Sequence, residues 1–251
     1  MKFKIREARL KESIAYDSEG NPLSPEQVAF FKNSKVRDGR NGNGKLLVCY
    51  HGTDKDFNTF EKGDIGFHFG TANAADARKT FKGNPQKWEN KVVYLNITHP
   101  LYIDYDVGDW DGHNIAMHIV ESSLMDLDDV EIKYLQMIAS SRKSTEDKTR
   151  LVKEFLGKHG IDGIIYVNAY EDEDSTSYIA FEPNQIKAIT NKNPSNGYNI
   201  NESAINEVYP NKGESKEDFI KRFMSVTKDE YPDRKQRFAV ANSYWERRNK
   251  K

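Results

Sequence analysis

From Ser24 onward the chain alternates short apolar runs with stretches of helical period, a rhythm that predicts a mixed α and β domain. Ser24-Pro25-Glu26-Gln27 is a helix start: serine caps, proline suits the first helical position, and Gln27 can reach back to close a capping box. The short helix that follows should carry Val28, Phe30 and Phe31. The cluster Asp38–Gly44 (DGRNGNG) reads as a turn. The apolar run Leu46–Tyr50 then reads as a buried strand ending at His51-Gly52-Thr53. A short strand over Gly66–Phe69 leads to Thr71, which can cap a helix over Ala72–Phe81. Further strands are expected at Lys91–Ile97, Pro100–Asp104, Ile161–Val167, Tyr178–Phe181 and Ile186–Ile189. Helices are expected at Asn114–Ser122, Val130–Ala139 and Glu146–His159, with Gly160 as the left-handed stop.

Residues 190–201 (TNKNPSNGYNIN) break this pattern, and 193–201 are read as a linker after a polar extension over 1–23. Beyond the linker, Phe219, Ile220 and Phe223, then Phe238, Val240, Ala241 and Tyr244, recur at helical spacing and predict two short helices. Charge changes sign at the same place. Residues 202–251 hold 12 basic and 9 acidic side chains, a net of +3, which leaves −4 for residues 1–201 and −1 for the chain of 251. That balance gives no global electrostatic case for nucleic acid. The apolar content is 37%, but 13 Phe, 13 Tyr and 3 Trp supply large side chains for a core. No apolar run reaches membrane-spanning length, and the N-terminus MKFKIREARLKES is too charged for a signal peptide, so a soluble cytoplasmic protein with no membrane partner is expected.

Generic motifs carry little chemistry. Gly39-Arg-Asn-Gly-Asn-Gly44-Lys45 fits a phosphate-loop spacing, but Leu46 stands where serine or threonine is needed, and a strand follows instead of a helix. The six histidines (51, 68, 99, 113, 118, 159) show no metal-ligand spacing, so no metal is expected. Cys49 and His51 share one strand face and could form a nucleophilic pair, although a lone cysteine in an apolar strand is usually core.

Three other pieces have bland readings when taken singly. His51-Gly52-Thr53 is a strand end. Gly66-Phe67-His68-Phe69 is a short aromatic strand. Asn168, Glu171 and the run Ser177–Ile186 contain an acidic turn and a strand. In register, however, FFKNSKVRDGRNGNGKLLVCYHGT, FNTFEKGDIGFHFGTANAADAR and GIDGIIYVNAYEDEDSTSYIAFEPNQIKAIT resemble the ADP-ribosyltransferase fold. The likeness is greatest to the branch found as a domain in phage and mobile-element polyvalent proteins, and it covers residues 24–192. It implies an α+β fold with a split β-sheet core and peripheral helices, to which residues 202–251 add a small helical module.

The resemblance also implies chemistry on NAD as substrate, without a metal. The nicotinamide–ribose bond breaks and ADP-ribose passes to an acceptor, a relative of glycoside hydrolysis in its cation-like transition state. Residue by residue, His51 matches the histidine that binds the adenosine-side ribose, and Gly52 the glycine whose backbone grips the nicotinamide amide, with Thr53 beside it. His68, between Phe67 and Phe69, falls where related polymerases keep a tyrosine. Phe81 matches the stacking aromatic, with Lys79 or a neighbour as the alternative. Ser177 falls on the catalytic glutamate and cannot supply its charge. Asn168 and Glu171 match an Asn-x-x-Glu element of this branch, which implies Glu171 as the carboxylate, with Glu173 and Asp174 as neighbours; Glu182 is read as structural. The acidic run 171–174 is read as a target-recognition loop around the site, the alternative being a solvated turn.

The implied role is a mono-ADP-ribosyltransferase, toxin-like or serving host takeover, acting in the host cytoplasm on a protein or nucleic-acid acceptor, with an antitoxin or immunity partner. Residues 214–248 resemble an element of tailed-phage head proteins, which implies a phage head partner or packaging in a virion. A second reading, resting on Ser177 and the tail, is a catalytically inactive fold serving as a virion-associated binding or structural protein.

Overall fold

The computed structural model describes residues 15–39, 44–61, 63–81, 87–202, 210, 213–227 and 233–248. The chain divides into two compact units, Met1–Ser203 and Ala204–Lys251.

The first unit runs α1 (Pro25–Phe30), β1 (Cys49–Thr53), β2 (Phe67–Phe69), α2 (Ala72–Phe81), β3 (Glu89–Leu95), β4 (Pro100–Ile103), α3 (Gly112–Glu121), α4 (Asp129–Ser140), α5 (Thr145–Lys158), β5 (Gly163–Val167), β6 (Thr176–Ala180) and β7 (Ile186–Ala188). Local chemistry explains several boundaries. Ser24 Oγ accepts from Gln27 N at 3.0 Å while Gln27 Oε1 accepts from Ser24 N at 2.9 Å, the reciprocal box expected at α1. Thr71 Oγ1 accepts from Ala74 N at 3.0 Å and starts α2. Gly160, at φ 75°, turns the chain out of α5.

The strands form two sheets. One is antiparallel, in the order β1-β3-β7; the other is mixed, in the order β2-β6-β5-β4, with β4 parallel to β5. Tyr50 and Gly70 exchange two backbone hydrogen bonds of 3.0 and 3.1 Å and stitch β1 to the start of α2 beyond β2. This is the expected split sheet. Between the sheets, Cys49, Val93, Leu95 and Ile97 pack with Ile165, Tyr178 and Ala180. On the other face of the four-stranded sheet, Leu101, Ile103, Ile164 and Ile179 meet Ile115, Ile119, Leu135, Ile138, Val152 and Leu156 from α3, α4 and α5. Each such buried aliphatic side chain contributes about 1.5–3 kcal/mol.

Two expectations change in this unit. Val28 is 41% exposed, because α1 covers the core with Phe31, and Phe30 takes only a partial share. Residues 193–201 are pinned to the first unit: Ile200 is buried, its N–H donates to Asn58 O at 2.8 Å, and its carbonyl accepts from Ala188 N at 3.0 Å. The fully buried Lys187 also donates to Gly197 O at 2.5 Å.

In the second unit, α6 (Lys216–Val226) and α7 (Arg234–Arg248) pack through Phe219, Phe223 and Ala241, with Ile220, Val240, Tyr244 and Trp245 alongside. Phe238, expected in that core, is 51% exposed. Arg237, Ala241 and Tyr244, at i, i+4 and i+7, make the strip that α7 turns inward, and Phe238 lies about 100° round the helix from Arg237. Among the described residues, no helix is long and apolar enough to cross a membrane.

Candidate active site

The place where the sheets part is set by one imidazole. Tyr50 and Gly70 are a hydrogen-bonded pair, so continuing the ladder would match Gly52 with His68. Instead His51 Nδ1 lies 2.8 Å from the carbonyl oxygen of His68. A carbonyl only accepts, so Nδ1 carries the hydrogen and Nε2 of the neutral ring is left as an acceptor. Among the described residues, no backbone group on that side pairs with the N–H and C=O of Gly52. Burial first, and then the charges of Arg78 and Lys91, hold the His51 pKa below its ordinary value, against the bond to His68. Its ring lies 5.0 Å from Phe60, 5.5 Å from Phe69 and 6.3 Å from Phe57, so Phe67 and Phe69 belong to the aromatic wall around His51.

Gly52 cannot carry a side chain. A Cβ there would sit 2.4 Å from Ala75 O in α2 and 2.7 Å from Trp88 Nε1. That indole N–H is buried and unpartnered, as is His68 Nε2. Thr53, next along, is buried and accepts from Lys55 N at 3.1 Å.

His68 points to the opposite face of its sheet from Phe67 and Phe69. Its ring lies 6.1 Å from Trp110 and 6.5 Å from Tyr166, and those two rings are 4.3 Å apart. Burial, with the nearby Arg78 charge, pushes its pKa down to about 3, so the ring is neutral. Ser177 is directly across from Tyr166 in the β5–β6 register and is buried at 2% exposure.

Asn168 organises the remainder. It is 2% exposed, and its Oδ1 accepts the N–H groups of Tyr170, Glu171 and Asp172 at 3.0, 2.9 and 3.3 Å. Its Nδ2 donates to Glu171 Oε2 and to Ser177 Oγ, both at 3.0 Å. One carboxamide therefore folds the acidic turn and ties the Glu171 carboxylate to the serine. The other Glu171 oxygen, Oε1, is 3.4 Å from Arg78 on α2. Thr71 also bonds Asp172, which fixes the start of α2 to the same turn. Asp174 takes a left-handed conformation, φ 63°, where the turn reverses.

The structure thus brings His51, Gly52, His68, Asn168, Glu171 and Ser177 around the split. Phe81 ends α2, and its side chain, like that of Lys79, lies outside the described residues. Glu182 is away from the turn, paired with Lys153 at 2.9 Å. Cys49 is fully buried, and burial raises its thiol pKa far above the ordinary range, so it packs as core and not as the nucleophile of a Cys–His pair. Among the described residues, no group of three or more His, Cys, Asp or Glu side chains could hold a metal. A cleft of about 440 Å³ on the other face of the β4–β6 strands, lined by Lys35, Arg37, Tyr102, Ile165 and Tyr178, contains none of the expected residues. Arg78, Trp88, Trp110 and Tyr166 escaped sequence reasoning. None carries a local sequence signal, because each reaches the site through packing of distant segments.

The sequence that builds this geometry matches a known family: the family model described as ADP-ribosyltransferase in polyvalent proteins covers residues 41–196. The chain belongs to this family. No curated protein and no solved structure matches it. The match covers β1 through β7 with the entire turn around Asn168, and membership implies NAD as the substrate. It begins after α1 and ends before the C-terminal helical pair, whose resemblance to phage head proteins finds no support in these comparisons.

Proposed function

We propose that this ADP-ribosyltransferase-family protein is an active mono-ADP-ribosyltransferase that modifies a macromolecule of the host, with Glu171 as its catalytic carboxylate. The observation that carries the reading is the Asn168 carboxamide, which joins Glu171 Oε2 to Ser177 Oγ through two 3.0 Å bonds. Ser177 fills the strand position of the family glutamate, and the turn returns a carboxylate to that same place. The loss of the strand glutamate is thereby compensated from three residues beyond Asn168.

The residues present suit NAD. The unpaired edge of Gly52 offers one N–H donor and one C=O acceptor, the complement of a carboxamide, and the unpartnered Trp88 N–H stands beside it. His51 Nε2 offers an acceptor to a ribose hydroxyl. Trp110, Tyr166 and neutral His68 form an apolar floor that keeps water from the sugar. Positive charge gathers on the ribose as the nicotinamide bond breaks, and a fixed carboxylate stabilises it. The balance is simple: NAD⁺ and an acceptor X–H give X–ADP-ribose, nicotinamide and a proton.

Label from NAD should appear on protein or nucleic acid when the chain is incubated with host lysate, and protease and nuclease digestion separates the two acceptors. Glu171→Gln should abolish the label, whereas Ser177→Ala should retain most of it. The reverse pattern would move the catalytic role to Ser177. No label from the unmodified chain would favour a binding module built on an inactive fold.

A further inference from the structure

The ion pair that crosses the site poses a contradiction. On the reading that Glu171 serves NAD chemistry, its negative charge must face the developing cation, yet Arg78 lies 3.4 Å from Glu171 Oε1 and neutralises it. We propose that Arg78 is an exchangeable anion-binding residue, paired with Glu171 in the free protein and transferred to the pyrophosphate of NAD in the complex.

Four observations support the exchange. The pair is a single long approach and not a two-pronged fork, and the Arg78 side chain is 46% exposed. A half-exposed pair held by one long contact is weak, so it breaks easily. Glu171 does not depend on it for position, because Asn168 holds Oε2 and the backbone N–H of Glu171. The guanidinium is held at the acidic turn beside Ser177, and its charge is felt at His51, His68 and Tyr166, so it stands within reach of a ligand in the site. Finally, a planar fork of N–H donors is the side chain best matched to phosphate oxygens, and the pyrophosphate offers two negative charges against the single one of Glu171. Substrate would thus free the carboxylate on arrival, leaving the empty site neutralised and the filled site armed.

Two substitutions separate this exchange from a fixed structural bridge. Isothermal titration calorimetry with ADP-ribose and with nicotinamide, used singly as probes, reads the two ends of the site. Arg78→Gln should weaken ADP-ribose by about tenfold or more, roughly 1.4 kcal/mol per factor of ten, and leave nicotinamide affinity as it was. Arg78→Lys, which keeps charge without the fork, should fall between. Glu171→Gln releases the arginine and should bind ADP-ribose several-fold tighter. A fixed bridge predicts the opposite for Glu171→Gln, because an arginine left without its partner would no longer be held over the site. Unchanged ADP-ribose affinity in Arg78→Gln, or weaker binding in Glu171→Gln, overturns the exchange while leaving the NAD reading intact. A wild-type chain that binds neither probe overturns the NAD reading and the exchange with it.

Discussion

Replacing Asn168 by alanine should collapse the acidic turn and disable the site together. The side chain accepts three backbone N–H groups and donates twice, and at 2% exposure water reaches these groups only once the turn opens. Three N–H groups shared by one carbonyl oxygen are worth about two ordinary bonds, at about 1 kcal/mol each. The bond to Ser177 adds roughly 1 kcal/mol, and the bond to the partly exposed Glu171 carboxylate on the order of 1 kcal/mol. The turn can relax and recover some of these with water, so a net loss of about 3 kcal/mol is expected. For a unit of this size that lowers Tm by roughly 6–12 °C. Differential scanning calorimetry measures the shift, and nicotinamide release from NAD measures the loss of chemistry. Asn168→Asp provides the control: it keeps Oδ1 and replaces the donor by a carboxylate oxygen 3.0 Å from Glu171 Oε2. Two carboxylates that close raise the folded-state pKa of the pair above its unfolded value. The folded protein then binds more protons than the unfolded chain, so the Tm deficit of Asn168→Asp relative to wild type should shrink from pH 7 to pH 5. The deficit of Asn168→Ala should not change. An alanine variant that melts within about 1 °C of wild type and keeps its turnover would refute the reasoning.

Other consequences follow from single residues. His68 is held neutral with its pKa pushed down to about 3, so below the unfolded value near 6.5 the unfolded chain binds the extra proton and stability falls with pH. The slope is about 1.4 kcal/mol per pH unit, and His68→Phe should show a smaller Tm loss from pH 7 to pH 5 than wild type. Gly52→Ala puts a methyl group 2.4 Å from Ala75 O and against Trp88, and should cost roughly 1–3 kcal/mol in stability and abolish NAD turnover, checked by melting and nicotinamide release. Cys49→Ala should retain turnover, and the native Cys49 thiol should resist a thiol reagent until the chain unfolds, because it is fully buried; rapid labelling of the folded protein would reinstate a reactive cysteine.

What the sequence disclosed was local. Ser24 with Gln27, Thr71 before α2 and Gly160 after α5 each act within one turn of backbone, so their residue types name their positions. Asn168 and Glu171 were legible as a pair only through the resemblance to the family's Asn-x-x-Glu element, and the structure adds that, three residues apart, they close a turn of their own. Long-range placement was not legible. Arg78 reaches Glu171 only because Thr71 ties the start of α2 to Asp172 across 101 positions of chain. Trp88 lies against Gly52 only through the β1–β3 register. The exposure of Val28 and Phe238 was hidden because helical spacing tells which residues share a face and not how wide the covered strip is. Residues 193–201 looked like a linker from their Asn, Pro and Gly content, but the backbone carbonyls of Gly197 and Ile200 accept from Lys187 and Asn191, which anchor them.

The central claim is that Glu171, and not a strand residue, supplies the charge opposite the nicotinamide ribose. A crystal structure of the Glu171→Gln protein with NAD tests it directly. The account predicts the nicotinamide amide on the free edge of Gly52, the substituted side chain at position 171 facing the nicotinamide ribose while still bonded to Asn168, and Arg78 on the pyrophosphate. NAD bound elsewhere, or Glu173, Asp174 or Ser177 facing the ribose in place of residue 171, would contradict it.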